Sequence, residues 1–168
     1  YPIRLNSQCL IEMLDIPSDH FSVTAVLLKK ISQHRWARHS WSLLGVIPGL
    51  SETQLSNAQN EGELHYYPDL HLRLFRHYCD SYYQNLMSEQ AKIYFIGRLE
   101  NDLFTPVLLT VDFDEAASYM EAGDHVMEAA LPDELCVWLE RFLIYHYAPE
   151  APKKRRRERW KDNDGGAR

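Results

Sequence analysis

The chain has 168 residues, with eighteen Lys and Arg against twenty-four Asp and Glu, a formal net charge of −6. That length suits a single domain, and 45% hydrophobic with 25% charged residues excludes wholesale disorder. No apolar run approaches the roughly 20 residues of a membrane-spanning helix. Three widely spaced cysteines, Cys9, Cys79 and Cys136, form no CxxC pair, which argues against a disulfide framework and for a reducing, cytoplasmic setting.

Tyr1–Asn6 lacks the basic-then-apolar order of a secretory signal, and residues 1–20 are read as an N-terminal extension whose place in the fold is open. Residues 21–31 are β-branched and apolar and predict a strand. A loop, Ser32–His39, follows. Residues 40–49 alternate Trp41, Leu43, Gly45 and Ile47 on one face and stop at Pro48-Gly49, predicting a second strand. The polar stretch 51–61 reads as an exposed loop or a short frayed helix.

In residues 69–77, Leu70, Leu72 and Leu74 alternate with His71, Arg73 and Phe75, the period of a half-buried strand. Residues 79–89 predict one or two helical turns. Residues 92–99 and 105–113 form a strand pair joined by Glu100-Asn101-Asp102, residue types that tolerate tight turns. Asp114 is read as the N-cap of a helix ending at Gly123, and Pro132 opens a last helix with Leu135, Leu139, Phe142, Leu143 and His146 at helical spacing. The order predicts an α+β fold over residues 21–148: an antiparallel sheet or small open β-barrel, packed by the C-terminal amphipathic helix.

Charge divides the chain. Eight of the eighteen basic residues and three of the twenty-four acidic ones fall from Lys153 onward, a local balance of +5 that leaves −11 for residues 1–152. Pro149 and Pro152 mark the boundary, and 149–168 is read as a disordered basic tail, its cations repelling one another around a lone apolar Trp160.

Four kinds of chemistry bear on these residues. Eight histidines invite a metal, but His71 and His77 are six apart on a strand, roughly 20 Å when extended, and no HxxxH, HExxH or Cys-His cluster occurs. His77 and Cys79 are near in sequence, yet no nucleophile elbow accompanies them, so both Cys79 and Cys136 read as core. No GxGxxG or Walker loop is present. The tail could grip phosphates and stack a base on Trp160, but the acidic body opposes nucleic acid. No catalytic, cofactor-binding or metal-ligating residue is therefore assigned, and no cofactor.

The aromatic-cationic clusters are more informative, because Trp, Tyr and Arg dominate binding hot spots. Candidate partner-binding residues are Arg35, Trp36 and Arg38 in the first loop, Tyr82, Tyr83 and Asn85 in the short helix, and Lys153, Lys154, Arg155, Arg156, Arg157 and Trp160 in the tail. Trp41 alternates with Leu43 and reads as core.

Several segments together resemble a known family. Lys29-Lys30, then His34-Arg35-Trp36, Trp41 and Gly45-Val46-Ile47-Pro48 resemble the opening of a small bacterial family of uncharacterised function, a domain of unknown function. Its members are encoded beside molybdenum- or tungsten-dependent formate dehydrogenases. Tyr82-Tyr83-Gln84-Asn85-Leu86 is similar to its central YYxNL element, and Leu109-Thr110-Val111, Asp114–Ala117 and Gly123 to its next segment. Leu131-Pro132, Trp138, Phe142, His146-Tyr147, Pro149 and the basic tail resemble its ending, so the likeness spans about residues 21–160. It implies a partner more than an activity. Some members carry labels of molybdopterin guanine dinucleotide synthesis, but this chain lacks the glycine-rich, lysine-containing loop of such a transferase.

The expectation is a non-catalytic accessory protein that assembles or matures a formate dehydrogenase through protein–protein contacts with a subunit or maturation factor. The alternatives are a module binding a small ligand or the molybdopterin cofactor, with Arg35, Arg38, His71 or Arg73 converging on an anion, and a regulator whose tail binds nucleic acid. A homo-oligomer is compatible with any of these. Deleting residues 153–168 is expected to leave retention on immobilised DNA and RNA at low salt unchanged.

Overall fold

The computed structural model describes residues 16–149. Two antiparallel three-stranded sheets form its framework. In the first, β1 (His20–Ile31) lies between β2 (His39–Ile47) and β3 (Glu63–Arg73); in the second, β4 (Lys92–Glu100) lies between β5 (Leu103–Thr110) and β6 (His125–Ala130). Helix α1 (Glu52–Glu61) joins β2 to β3, α2 (Cys79–Leu86) precedes β4, α3 (Phe113–Glu121) joins β5 to β6, and α4 (Asp133–His146) follows β6.

The central strands are apolar on both faces because both are covered. In β1, Val23, Ala25 and Leu27 enter the main core, while Val26 and Leu28 are buried on the other side. There Gly62, at the end of α1, closes against Leu28. A Cβ at Gly62 would lie 2.4 Å from the Lys29 carbonyl oxygen, so no larger residue fits without displacing backbone. In β4, Ile93 and Phe95 face the main core, and Tyr94 and Ile96 pack with Ala116 under α3. The inner faces of both sheets share one core with Leu135, Leu139 and Phe142 of α4, and Tyr67 bridges them, its ring 5.8 Å from both Phe95 and Phe104.

The sheets do not close into a barrel, which corrects that part of the sequence reading. β3 and β5 lie side by side, but β3 carries Pro68 and β5 carries Pro106, neither of which can donate to a ladder. The Phe104 carbonyl on β5 instead accepts a hydrogen bond from the Tyr67 hydroxyl at 3.1 Å.

Three further expectations change in detail. Within residues 51–61, Glu52–Glu61 form a ten-residue helix held by a capping box at Ser51: Gln54 N donates to Ser51 Oγ and Ser51 N to Gln54 Oε1, at 3.2 and 2.9 Å. The N-cap of α3 is Asp112, not Asp114; Asp112 Oδ1 accepts from Asp114 N at 2.9 Å, so the helix begins two residues earlier than expected of an Asp114 cap. Gly123 does follow the helix with φ +92°, and Asp124 N reaches back to the Tyr119 carbonyl at 3.0 Å, the six-to-one bond of a Schellman ending. Strand β6, absent from the sequence reading, pairs with β4 through Met127 opposite Phe95.

One ionic contact fastens the sheets at the β4–β5 hairpin. Asn101 and Asp102 have φ of 51° and 62°, the left-handed pair of a two-residue turn. The turn aims the Asp102 carboxylate at the first sheet, where Lys29 Nζ of β1 and His39 Nδ1 of β2 each lie 2.7 Å away. The imidazole is close but poorly aligned to donate, so the Lys29 ion pair is the dominant contact with the carboxylate. That bond, with the positive charge nearby, holds the Asp102 carboxyl below the usual carboxylate range. A depressed folded-state pKa stabilises the fold above the unfolded value and is lost as pH falls through the folded one. Asp102→Asn is therefore expected to unfold at lower temperature than the parent at neutral pH. The gap should close as pH drops below about 4 in parallel thermal melts; a gap that persists at pH 2 contradicts the contact.

Candidate functional site

The β1–β2 connection is a closed loop. Ser32 N donates to the Arg38 carbonyl at 2.9 Å, Ala37 N to that of His34 at 3.3 Å, and His34 N to Ser32 Oγ at 3.1 Å. These bonds close the loop on itself, and most of its side chains face outward. Trp36 is 93% exposed, with the Arg35 guanidinium 5.9 Å from its ring centre, and Arg38 is also exposed. A stack of this kind is worth about 0.5–1 kcal/mol in water, enough to orient the indole without covering it. Trp41 is buried against His65 and Phe104 as its alternation predicts, and His39 turns to Asp102.

The Tyr82–Asn85 cluster separates into different roles. Tyr82 is 1% exposed: its ring meets Phe142, and its hydroxyl accepts from Phe75 N at 3.1 Å. Burial pushes that hydroxyl's pKa up. Asn85 is also buried. Its Nδ2 donates to the carbonyls of Lys92 and Val111, each at 2.8 Å, and its Oδ1 accepts from Lys92 N at 2.9 Å. It clamps the start of β4 to the end of β5. Neither residue presents its side chain to a partner, which corrects their place among the contact candidates. Tyr83 remains outside, its ring 5.4 Å from Tyr147. Helical spacing from Cys79 to Tyr82 and Leu86 carried the signal for this division, because i, i+3 and i+7 share a face.

A polar groove runs between α2 and α3, unforeseen in the sequence. It comprises two adjoining cavities of about 580 and 570 Å3 that share Ser81, Gln84 and Asp114. Asp80, Asp112, Asp114 and Glu115 line one of them. Several of these carboxylates have partners already. Asp112, 1% exposed, accepts from Ser81 Oγ at 2.5 Å; Glu115 accepts from Thr110 Oγ1 at 2.7 Å; and Asp80 accepts from Tyr147 Oη at 2.7 Å. That last bond raises the tyrosine's pKa. Lys92, in the other cavity, is engaged by Glu128 at 2.6 Å. The groove therefore offers negative charge and hydrogen-bond acceptors, with no free cation for an anionic ligand among its described lining.

The convergent anion pocket expected of Arg35, Arg38, His71 and Arg73 does not form. His71 and Arg73 pair with Ser22 and His20 at the start of β1, whereas Arg35 and Arg38 follow its end. The strand between them spans roughly 35 Å. Burial, and to a lesser degree Asp80 and Asp133, push the Cys79 and Cys136 thiols up, away from the thiolate form a nucleophile needs. Among the described residues, no group of three or more His, Cys, Asp or Glu side chains is placed to hold a metal ion, and no helix is long and apolar enough to cross a membrane. Lys153, Lys154, Arg155, Arg156, Arg157 and Trp160 lie outside the described residues.

A family model described as "Protein of unknown function (DUF3305)" matches residues 22–157. The chain belongs to this family. The match begins within β1 and runs past the end of α4, so it takes in both sheets, the closed loop and the groove. No curated protein and no solved structure matches the chain.

The clamp around Asn85 is directly testable. Asn85→Ala strips partners from three backbone groups at the β4–β5 seam and is expected to cost about 2–4 kcal/mol in urea unfolding. Asn85→Asp should also destabilise, because a carboxylate cannot donate to the Lys92 and Val111 carbonyls. A solvent-facing contact residue would show neither loss.

Proposed function

We propose that this DUF3305 protein is a non-catalytic accessory factor in the assembly or maturation of a formate dehydrogenase, acting through the closed loop of residues 32–38. The observation that carries the contact role is the Arg35–Trp36 stack. A fully displayed indole on a backbone-bonded loop adds nothing to the protein's own core, yet loses little conformational freedom when a partner covers it. The dehydrogenase as partner rests on the resemblance of the chain's motifs to a family encoded beside such enzymes. The raised thiol pKa values and the already bonded carboxylates of the groove favour contact over catalysis.

The groove supports a narrower second reading, a module for a small ligand. Its carboxylates suit a cationic or hydrogen-bond-donating group and disfavour formate or a phosphate-bearing pterin. Regulation through the basic tail draws no support from the described residues.

Deletion of the gene is expected to lower formate dehydrogenase activity while the dehydrogenase transcript persists. Full activity in the deletion strain would refute the assignment. In the intact protein, Trp36→Ala should leave thermal stability within about 0.5 kcal/mol of the parent. It should weaken co-purification of dehydrogenase subunits at least about tenfold, as loss of a hot-spot side chain does.

A further inference from the structure

The C-terminal helix has a second face that the core does not use. Its buried stripe is Leu135, Trp138, Leu139, Phe142 and Leu143. Rotated away from it, the exposed residues Glu134, Val137, Arg141, Ile144 and Tyr145 recur at i, i+3, i+7, i+10 and i+11, a single stripe along the whole helix. Val137, Ile144 and Tyr145 are 54%, 78% and 52% exposed, a concentration of large apolar side chains that a solvated helix face does not require. Alongside runs a groove of about 900 Å3, whose opposite wall includes Ile16 and Phe21. That wall is fixed: Trp138 Nε1 donates to the Ser18 carbonyl at 2.8 Å, and the Phe21 and Trp138 rings meet edge-on at 5.5 Å.

Within the apolar stripe sit one anion and one cation, Glu134 and Arg141, seven residues or about 10.5 Å apart along the axis. Neither takes part in an ion pair among the described residues. A partner of one charge sign would satisfy one of them and repel the other. An antiparallel copy of the same helix satisfies both. With a two-fold axis passing between positions 137 and 138, Glu134 of each copy lies opposite Arg141 of the other, and the exposed Val137 side chains of the two copies meet beside the axis.

We infer that a second copy of this chain docks on the outward face of α4, as an antiparallel helix pair closed by two reciprocal Glu134–Arg141 contacts. One helix face and its flanking wall are small beside the roughly 800 Å2 per partner of a standard interface, so dissociation is expected in the range of about 1–100 μM.

The test is sedimentation velocity of the full chain across that range at low salt, with circular dichroism to verify the fold of each variant. The parent should pass from monomer to dimer with concentration. Glu134→Arg and Arg141→Glu should each weaken dimerisation at least tenfold, since each sets like charges against one another twice. An equimolar mixture of the two variants, and the double variant E134R/R141E, should both recover it, because each arrangement restores two opposite pairs. Recovery in the mixture also separates lost pairing from failed folding. A parent monomeric throughout overturns the inference, as does a dimer indifferent to both single reversals. Dimerisation that appears only once residues 1–15 are deleted overturns it too, by assigning the face to the chain's own N-terminal segment.

Discussion

Burial of both faces of β1 and β4 is the constraint on which the rest of the architecture depends. A strand with one apolar face can leave the other to water. Val26 and Leu28 behind Val23, Ala25 and Leu27, and Tyr94 and Ile96 behind Ile93 and Phe95, leave no face to hydrate. Each sheet must be covered on its inner side by the other sheet and on its outer side by further chain. Gly62 at the end of α1 closes on Leu28, and α3 lies over Tyr94 and Ile96. These requirements leave the connections between β1 and β2, and between α2 and β4, as places where side chains are free to face outward.

The same constraint explains which elements were legible in the amino-acid order. The β1, β4 and β5 segments are dense in β-branched and aromatic residues, and α4 keeps a clear helical stripe, so each stands out locally. Strand β6, with the sequence HVMEAA, is short and alanine-rich; it is a strand because β4 offers it a ladder, a condition set by tertiary context. Helix α1 was legible in principle, since Ser51 and Gln54 have the spacing of a capping box, but its polar composition obscured that signal. Of the two architectures expected, antiparallel sheet or small open barrel, the strands form two separate antiparallel sheets; Pro68 and Pro106 interrupt any ladder between β3 and β5, and sequence alone does not reveal which strands become neighbours.

The candidate site was legible only in part. Trp36 lacks alternating apolar neighbours, and that absence correctly placed it on the surface. Tyr82 and Asn85 sit in a run of polar and aromatic residues that looks like a contact surface, yet one fills the core and the other satisfies three backbone groups. Composition cannot separate a polar side chain that meets solvent from one that replaces it inside the protein. The groove between α2 and α3 was invisible for a related reason. Asp80 and Asp112 through Glu115 are more than thirty residues apart, and folding alone brings them together. It concentrates in one cleft part of the negative charge that residues 1–152 carry in excess.

Pro68 and Pro106 have a consequence beyond keeping the barrel open. Exposed strand edges are common docking points for other chains, which extend a sheet by adding a strand and are read largely through main-chain hydrogen bonds. At the β3–β5 seam each strand lacks a donor, and the Phe104 carbonyl is already bonded to Tyr67. Strand addition, whether by a cellular partner or by a growing fibril, therefore meets an interrupted template there. Recognition at this side of the molecule must be read from side chains, and the sandwich is protected at that seam from the edge-to-edge association to which small two-sheet folds are prone.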